Sequence, residues 1–383
     1  MIINLNKIFY NNILLSLGLL TLSLGIFRIA EYSFSIANFI VLYLFFFYLK
    51  SNNKYVFAIY FFILTYLLLI AFLFFTNLNF IEYSKSFLLT SVMLFVYISS
   101  LFKPIYYDRI NPQRIIIYIG IFIVLFELIQ ILEYLILGSS NTWFILDSLS
   151  ISTATDIGRF QAVNFLSFMR PISFYHEPSY LGIILLILLI CANELKVNKL
   201  FLFIFYIGII ISFSTTALVF LILYIILLNF KSIKTFLMLF IIVILLFYFL
   251  LDNETLDNIF RFNEIFNAGT SGNERLIGPY DYLSDQFFNK HNYFGIPLGQ
   301  SDLVFNNSFY LFFLYFGIFT PLLLLIFIFF IFYKFKKNSF KYLLAFFSLI
   351  FLSGSFFTLE YALILYFLNY SFHTTSNNEL AIP

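Results

Sequence analysis

The chain contains little charge, one cysteine and three histidines. Asp, Glu, Lys and Arg make up 10% of its 383 residues, against about 25% in a typical soluble domain. This composition excludes a soluble globular domain, a disordered chain and a basic nucleic-acid-binding domain. The single cysteine, Cys191, excludes an intrachain disulfide. Because His176, His291 and His373 are scattered along the chain, we expect no metal site, and no sequence motif indicates a cofactor.

Apolar residues dominate the sequence: 62% is hydrophobic and 23% aromatic, including 59 Phe and 28 Tyr. A membrane-spanning helix needs about 20 apolar residues, so about twelve spans would account for this fraction. Open sheet edges are not tolerated in lipid, so every span should be helical. We therefore predict one all-α polytopic integral membrane domain over residues 1–383, with about 11–12 transmembrane helices. The predicted spans are residues 8–29, 34–49, 55–76, 86–102, 115–137, 180–194, 199–212, 215–230, 236–251, 308–333, 341–357 and 359–371.

Lysine and arginine concentrate in every second predicted loop, for example at Lys50, Lys103 and Lys337. The positive-inside rule then places these loops and the N-terminus in the cytoplasm. Two long loops, residues 138–179 and 252–307, fall on the opposite side of the membrane. We therefore expect any chemistry on the extracytoplasmic face.

The first long loop ends in a dense polar patch that includes Arg170, His176 and Glu177. Glu177 precedes Pro178, which favours an extended conformation at Glu177 and a helix beginning at Pro178. A carboxylate there lies near the positive end of the helix and could accept a proton from a sugar hydroxyl. The alternative is that Glu177 and His176 only cap the helix. We favour the functional interpretation for Glu177 and the capping interpretation for His176.

The second long loop contains a Gly- and Ser-rich stretch, residues 269–278, that predicts a turn. A short amphipathic helix at the membrane surface should follow, with Arg275 at the turn that enters it. Its apolar positions are Tyr280, Leu283, Phe287 and Phe288. Arg275 could bind an anionic lipid-linked substrate or pair with a nearby acid, and the residues alone leave both open.

Five cations in the two long loops could form an anion site if they cluster in space. These cations are Arg159, Arg170, Arg261, Arg275 and Lys290. Acidic residues share the same loops, so the net charge there is not positive. An anion site therefore depends on clustering.

The fifth predicted span carries Glu127, Gln130 and Glu133 on roughly one helix face. Carboxyl groups inside a membrane are costly and usually face the protein interior or a water-filled cavity. These side chains could line a substrate cavity or pair with Arg on a neighbouring helix. We favour the ion pair, because no loop motif is tied to them.

Three short motifs resemble elements of the Wzy-type O-antigen and exopolysaccharide polymerases. The first is Arg170 followed by Glu177-Pro178-Ser179. The second is residues 272–276, Gly-Asn-Glu-Arg-Leu, which is similar to a Gly/Arg element in the second large periplasmic loop. The third is residues 306–309, Asn-Asn-Ser-Phe, with Gly-Ile-Phe-Thr at 317–320. The order of these motifs and the two long outer loops also fit this family.

The resemblance implies a GT-C-like, metal-independent glycosyltransferase that joins repeat units carried on undecaprenyl diphosphate. It implies that Arg170 and Arg275 stabilise the leaving phosphate, with Arg159 the next candidate, and that Glu177 acts as base or orients the acceptor. The residues expected to contact the substrate are Arg159, His176, Lys290, His291 and Asn307.

The resemblance also implies partners and a location. The protein should act in the bacterial inner membrane on an undecaprenyl-diphosphate-linked oligosaccharide, with a chain-length regulator and a flippase as further partners and no nucleic acid. The product would be O-antigen, capsule or exopolysaccharide.

Four alternatives remain. One is a cell-wall polymerase of the shape and division type, whose motifs are not strongly present in this sequence. An O-antigen ligase of the same superfamily would have His where this chain has Asn306. A lipid-linked oligosaccharide flippase should have short loops throughout. A non-catalytic scaffold would need neither outer Arg residues nor Glu177.

Overall fold

The structure, a computed structural model, is helical apart from one short hairpin in the part of the chain that it describes. The described residues are 15–20, 22, 27–29, 32–51, 54–74, 80–102, 104, 111–137, 175, 178–228, 271–298, 308–351 and 359–380.

Twelve labelled helices follow the hairpin in the described ranges. The first seven are α1 (Ile36–Ser51), α2 (Lys54–Leu73), α3 (Phe80–Phe102), α4 (Pro112–Leu137), α5 (Pro178–Glu194), α6 (Lys199–Ile211) and α7 (Thr215–Leu228). The others are α8 (Ser271–Ser284), α9 (Ser308–Phe316), α10 (Thr320–Phe335), α11 (Ser339–Ile350) and α12 (Leu359–Leu380). A π-helical turn, Asp285–Asn289, extends α8, and a 3-10 turn, Gly317–Phe319, joins α9 to α10.

The prediction of one helix over residues 8–29 is wrong at its C-terminal end. Residues 15–20 are helical, but β1 (Phe27–Ile29) pairs with β2 (Tyr32–Phe34) as an antiparallel hairpin. Aromatic and β-branched residues favour strands, and apolarity alone cannot separate a short strand from a helix. The span predicted over residues 236–251 lies outside the described residues.

Within the described ranges, three helical segments are long and apolar enough to cross a membrane: Lys54–Leu73, Pro112–Ile136 and Ser308–Phe335. Six more apolar helices are shorter. Large apolar side chains also face outward, such as Phe61, Phe62 and Phe72 on α2, each at least 67% exposed. An apolar exterior of this kind suits lipid, so the described fold is that of a membrane protein.

Helices α5 and α12 form the centre of the bundle and pack side by side. Every side chain at positions 181–192 and 361–372 is buried. Helices α1 and α3 cover α12, while α4, α6, α7 and α11 cover α5. Helices α5 and α12 therefore form the core against which the surrounding helices pack.

One end of the bundle is held by lysine side chains, and we call it the basic end. The Lys334 ammonium donates to the carbonyl of Phe102, where α3 ends (3.0 Å). Lys341, at the start of α11, pairs with the buried Glu194 at the end of α5 (2.6 Å). Cations are favourable at helix C-termini, so these contacts fasten α3 and α5 at the same level.

The helices that start at the basic end differ in length. Helix α4 has 26 residues, about 39 Å, whereas α6 has 13, about 20 Å. The two pack in parallel: the ring of Phe205 fills the space beside Gly120, and Gly208 lies beside Glu127. Helix α4 therefore continues well beyond the turn that joins α6 to α7.

Candidate active site

Helix α8 lies in the second predicted loop and carries Arg275. The sequence placed Arg275 at a turn before the helix, and that placement is wrong, because residues 271–284 are all helical. Pro279 lies inside the helix and has no N–H to donate to the Arg275 carbonyl one turn earlier. The backbone at Arg275 is therefore in a locally weakened part of the helix. The Arg275 side chain is outside what the structure describes.

A π-helical turn follows α8 and positions Lys290. The Lys290 N–H donates to the Asp285 carbonyl (3.0 Å), and its ammonium lies 3.2 Å from an Asp285 carboxylate oxygen. The Asn289 amide donates to the other oxygen (2.8 Å). The hydrogen bonds from Asn289 and Lys290 lower the pKa of Asp285. Single π-helical turns are frequent at functional sites.

His291 follows directly and is exposed. Its backbone has φ +59°, a left-handed conformation that is uncommon for non-glycine residues. The ring Nδ1 lies 3.0 Å from the Tyr293 hydroxyl. The predicted substrate-binding pair Lys290 and His291 is thus presented on a sharp turn with an aromatic neighbour.

The chain after His291 is docked against the break between α9 and α10. The Ile296 N–H donates to the Leu314 carbonyl (2.8 Å), and the Ile318 N–H donates to the Tyr293 carbonyl (2.9 Å). The sequence noted residues 317–320 only as part of a family motif. In the structure, the non-helical backbone there pairs with the loop, which satisfies polar groups that lipid could not.

Two glycines make this docking possible. Gly317 has φ +54°, and a Cβ there would lie 2.2 Å from the Tyr293 carbonyl oxygen. Gly295 has φ +104°, and a Cβ there would lie 2.5 Å from the Tyr315 carbonyl oxygen. The two backbones approach so closely that no side chain fits between them.

Tyr66 on α2 fastens the same junction from a distant part of the chain. Its hydroxyl donates to the Phe294 carbonyl (2.6 Å) and lies 3.3 Å from the Phe316 carbonyl. Its ring stacks on Phe316. Sequence reasoning missed Tyr66, since nothing in the pattern of α2 distinguishes it from the other aromatic residues.

Aromatic side chains surround the turn. Tyr280, Phe288, Tyr293 and Phe294 are between 43% and 72% exposed, and Lys290 lies 5.9 Å from the centre of the Tyr282 ring. Exposed rings beside a cation can stack on sugars or rest at a membrane interface.

Several predicted site residues fall outside the described part of the chain. These residues are Arg159, Arg170, His176, Glu177 and Asn307. Their roles remain predictions, as does that of the Arg275 side chain. Helix α5 begins at Pro178, as the sequence predicted.

Two further buried groups lie near the start of α5. Tyr175 is 2% exposed, and its hydroxyl donates to the Leu19 carbonyl (3.2 Å). Tyr175 also interacts electrostatically with Glu127 on α4. No ion pair to Glu127 is present among the described residues, where the sequence had favoured one. Those residues also contain no group of three or more potential metal ligands.

The comparison with known families decides the identity of the chain. A family model described as WcaD colanic acid polymerase matches residues 10–372. The chain belongs to this family. The match spans nearly all of the described helices and both long loops, and it confirms the resemblance to Wzy-type polymerases. No curated protein and no solved structure matches the chain.

Membership in the WcaD family defines the general activity. The protein is a membrane-bound, glycosyltransferase-like polymerase of polysaccharide repeat units, acting on a lipid-linked oligosaccharide. The family match favours this activity over the ligase and flippase alternatives.

Proposed function

We propose that the protein joins undecaprenyl-diphosphate-linked repeat units into a surface polysaccharide on the extracytoplasmic side of the inner membrane. The match to the WcaD family over residues 10–372 carries this proposal. The docked turn at 290–298 supports it, since it presents a cation, an imidazole and aromatic rings next to a broken span.

The reaction transfers a glycan from its diphosphate carrier to a sugar hydroxyl. The acceptor oxygen bonds to the anomeric carbon of the donor while the bond from that carbon to the diphosphate oxygen breaks. Glu177 takes the hydroxyl proton. Arg170 and Arg275, with Arg159, stabilise the negative charge on the departing diphosphate. Because guanidinium groups supply this charge, the reaction needs no metal ion.

Lys290 and His291 bind the diphosphate or the sugar next to it. Lys290 is paired with Asp285 in the structure, but both groups are exposed (55% and 40%). Exposed ion pairs of this kind contribute little to stability, so Lys290 can readily change its partner. A diphosphate carries more negative charge than one carboxylate, so it can replace Asp285 as the partner of Lys290.

The experiment is to measure glycan length in cells whose own gene is replaced by variants. Arg275→Ala and Glu177→Gln should each abolish long glycan at normal protein level. Arg114→Ala is the matched control, because Arg114 is an exposed arginine in the first turn of α4; its length profile should be that of the wild type. A normal profile in Arg275→Ala would remove this arginine from the mechanism.

A further inference from the structure

Glu127 is a fully buried carboxyl group on a membrane helix. Both of its oxygens lack a hydrogen-bond partner among the residues that the structure describes. Such a group costs free energy in a low-dielectric interior, and selection for stability alone would replace it by Leu or Met. A carboxyl retained at this cost indicates a function.

The Glu127 carboxyl group is packed closely against helix α6. Glu127 Oε2 faces Gly208 on α6, and a Cβ at position 208 would lie 3.0 Å from this oxygen and 2.5 Å from Val124 Cγ2. Any larger residue at 208 would push on the carboxyl group. The close approach of α4 and α6 therefore positions Glu127.

Glu127 is the first of three polar residues on α4, with Gln130 and Glu133, that form a polar stripe running towards the C-terminal end of the helix. Helix α6 ends at Ile211, three residues after Gly208, whereas α4 continues for ten residues beyond Glu127 to Leu137, about 15 Å. Gln130 and Glu133 rise along this part of α4, one and two turns above Glu127. Glu133 is only half-buried, so the stripe leads from a partly exposed carboxyl down to a buried one.

We propose that Glu127 forms a subsite for the acceptor sugar, in which its carboxyl accepts hydrogen bonds from hydroxyl groups of the non-reducing end. The choice of ligand rests on the proposed function, because that end is the acceptor of the reaction. A carboxyl group has two oxygens, so it can bond to hydroxyl groups on two neighbouring carbon atoms of one sugar. Because Glu127 is fully buried, a bound sugar would have to reach it from the end of α4 that carries the partly exposed Glu133.

The test is binding of the lipid-free repeat-unit oligosaccharide to the purified full-length protein, measured by calorimetry in detergent beside a thermal unfolding curve. Glu127→Leu should weaken binding at least tenfold while the melting temperature stays equal or rises. Glu127→Gln should weaken it less, because the amide oxygen still accepts a hydrogen bond. This second variant keeps the shape of the side chain and replaces one oxygen by an amide nitrogen, so it separates the loss of an oxygen from a change of shape.

Asn369→Leu is the matched control, because Asn369 is equally buried in the bundle but fully partnered. Its amide donates to Ser100 (2.7 Å), and it accepts from Tyr342 (2.6 Å). This variant should lower the melting temperature and leave the dissociation constant of the folded protein unchanged. The two variants thus separate loss of a binding group from loss of a structural one.

Three results would overturn the subsite: no binding by the wild type, equal binding by Glu127→Leu, or a lowered melting temperature in Glu127→Leu without weaker binding. The proposed function is tested separately by elongation of the lipid-linked repeat unit. A protein that binds the oligosaccharide through Glu127 but elongates nothing would retain the subsite and refute the polymerase.

Discussion

Gly317→Ala should destabilise the junction between the second long loop and the span Ser308–Phe335. The new Cβ would lie 2.2 Å from the Tyr293 carbonyl oxygen and 2.5 Å from the Phe294 carbonyl carbon. Both are backbone atoms, which cannot turn away as a side chain would. The loop must move, or the backbone at 317 must leave φ +54°.

The loss of stability in Gly317→Ala is the sum of backbone strain and broken hydrogen bonds. A left-handed conformation costs an alanine roughly 1–2 kcal/mol. Moving the loop also breaks the hydrogen bonds from Ile318 to Tyr293 and from Ile296 to Leu314, each worth about 0.5–1.5 kcal/mol. The expected loss of unfolding free energy is therefore about 2–5 kcal/mol.

The assay is denaturant unfolding in detergent, with Gly278→Ala as the matched control. At Gly278 the nearest atom to a new Cβ is 3.7 Å away, and alanine is favoured over glycine in a helix by up to about 1 kcal/mol. Because Gly278 precedes Pro279, whose ring crowds a Cβ in the helical conformation, much of this gain is offset. Gly278→Ala should therefore change the stability by no more than about 1 kcal/mol in either direction. Equal stability of Gly317→Ala and the wild type would refute the inference that close backbone approach holds the loop.

Three further outcomes follow from the described contacts. Tyr66→Phe removes the hydroxyl that donates to Phe294; stability in the same unfolding assay should fall by about 0.5–1.5 kcal/mol, and an unchanged value would show that this bond does not hold the loop. Lys341→Met leaves the Glu194 carboxylate buried without its cation. The loss of unfolding free energy should approach about 3–5 kcal/mol, and it is reduced because the Lys341 side chain is 21% exposed. Adding Glu194→Gln should restore most of the lost stability. Treatment with EDTA should leave glycan elongation unchanged if Arg residues stabilise the leaving diphosphate, whereas a loss that Mg²⁺ restores would contradict metal independence.

The helices were largely predictable because apolar runs of sufficient length leave little choice in lipid. The predicted spans 115–137 and 199–212 correspond closely to Pro112–Leu137 and Lys199–Ile211. Apolarity could not predict the hairpin at Phe27–Phe34, since short strands and helices share that composition. The turn predicted at residues 269–278 is also wrong over residues 271–278, which belong to α8, because Gly and Ser favour turns but can also lie inside a helix.

The site was predictable only in part. The sequence names Lys290 as one of five cations in the long loops and His291 as an expected substrate contact, and the structure places both on one sharp turn. Their roles stay predictions. The contact of Tyr66 with Phe294 joins residues that are 228 positions apart, which no local pattern encodes. The sequence alone identifies Glu127 as a carboxyl group inside a membrane span, which costs stability. Only the packing of α4 against Gly208 shows what surrounds it.

The central claim is that this protein polymerises lipid-linked repeat units. The direct measurement is to reconstitute the purified protein in liposomes with the undecaprenyl-diphosphate-linked repeat unit and to separate the glycans on a gel. The account predicts a ladder of increasing length that is lost in Arg275→Ala and Glu177→Ala. A single unchanged band, with folded protein and verified substrate, would contradict it.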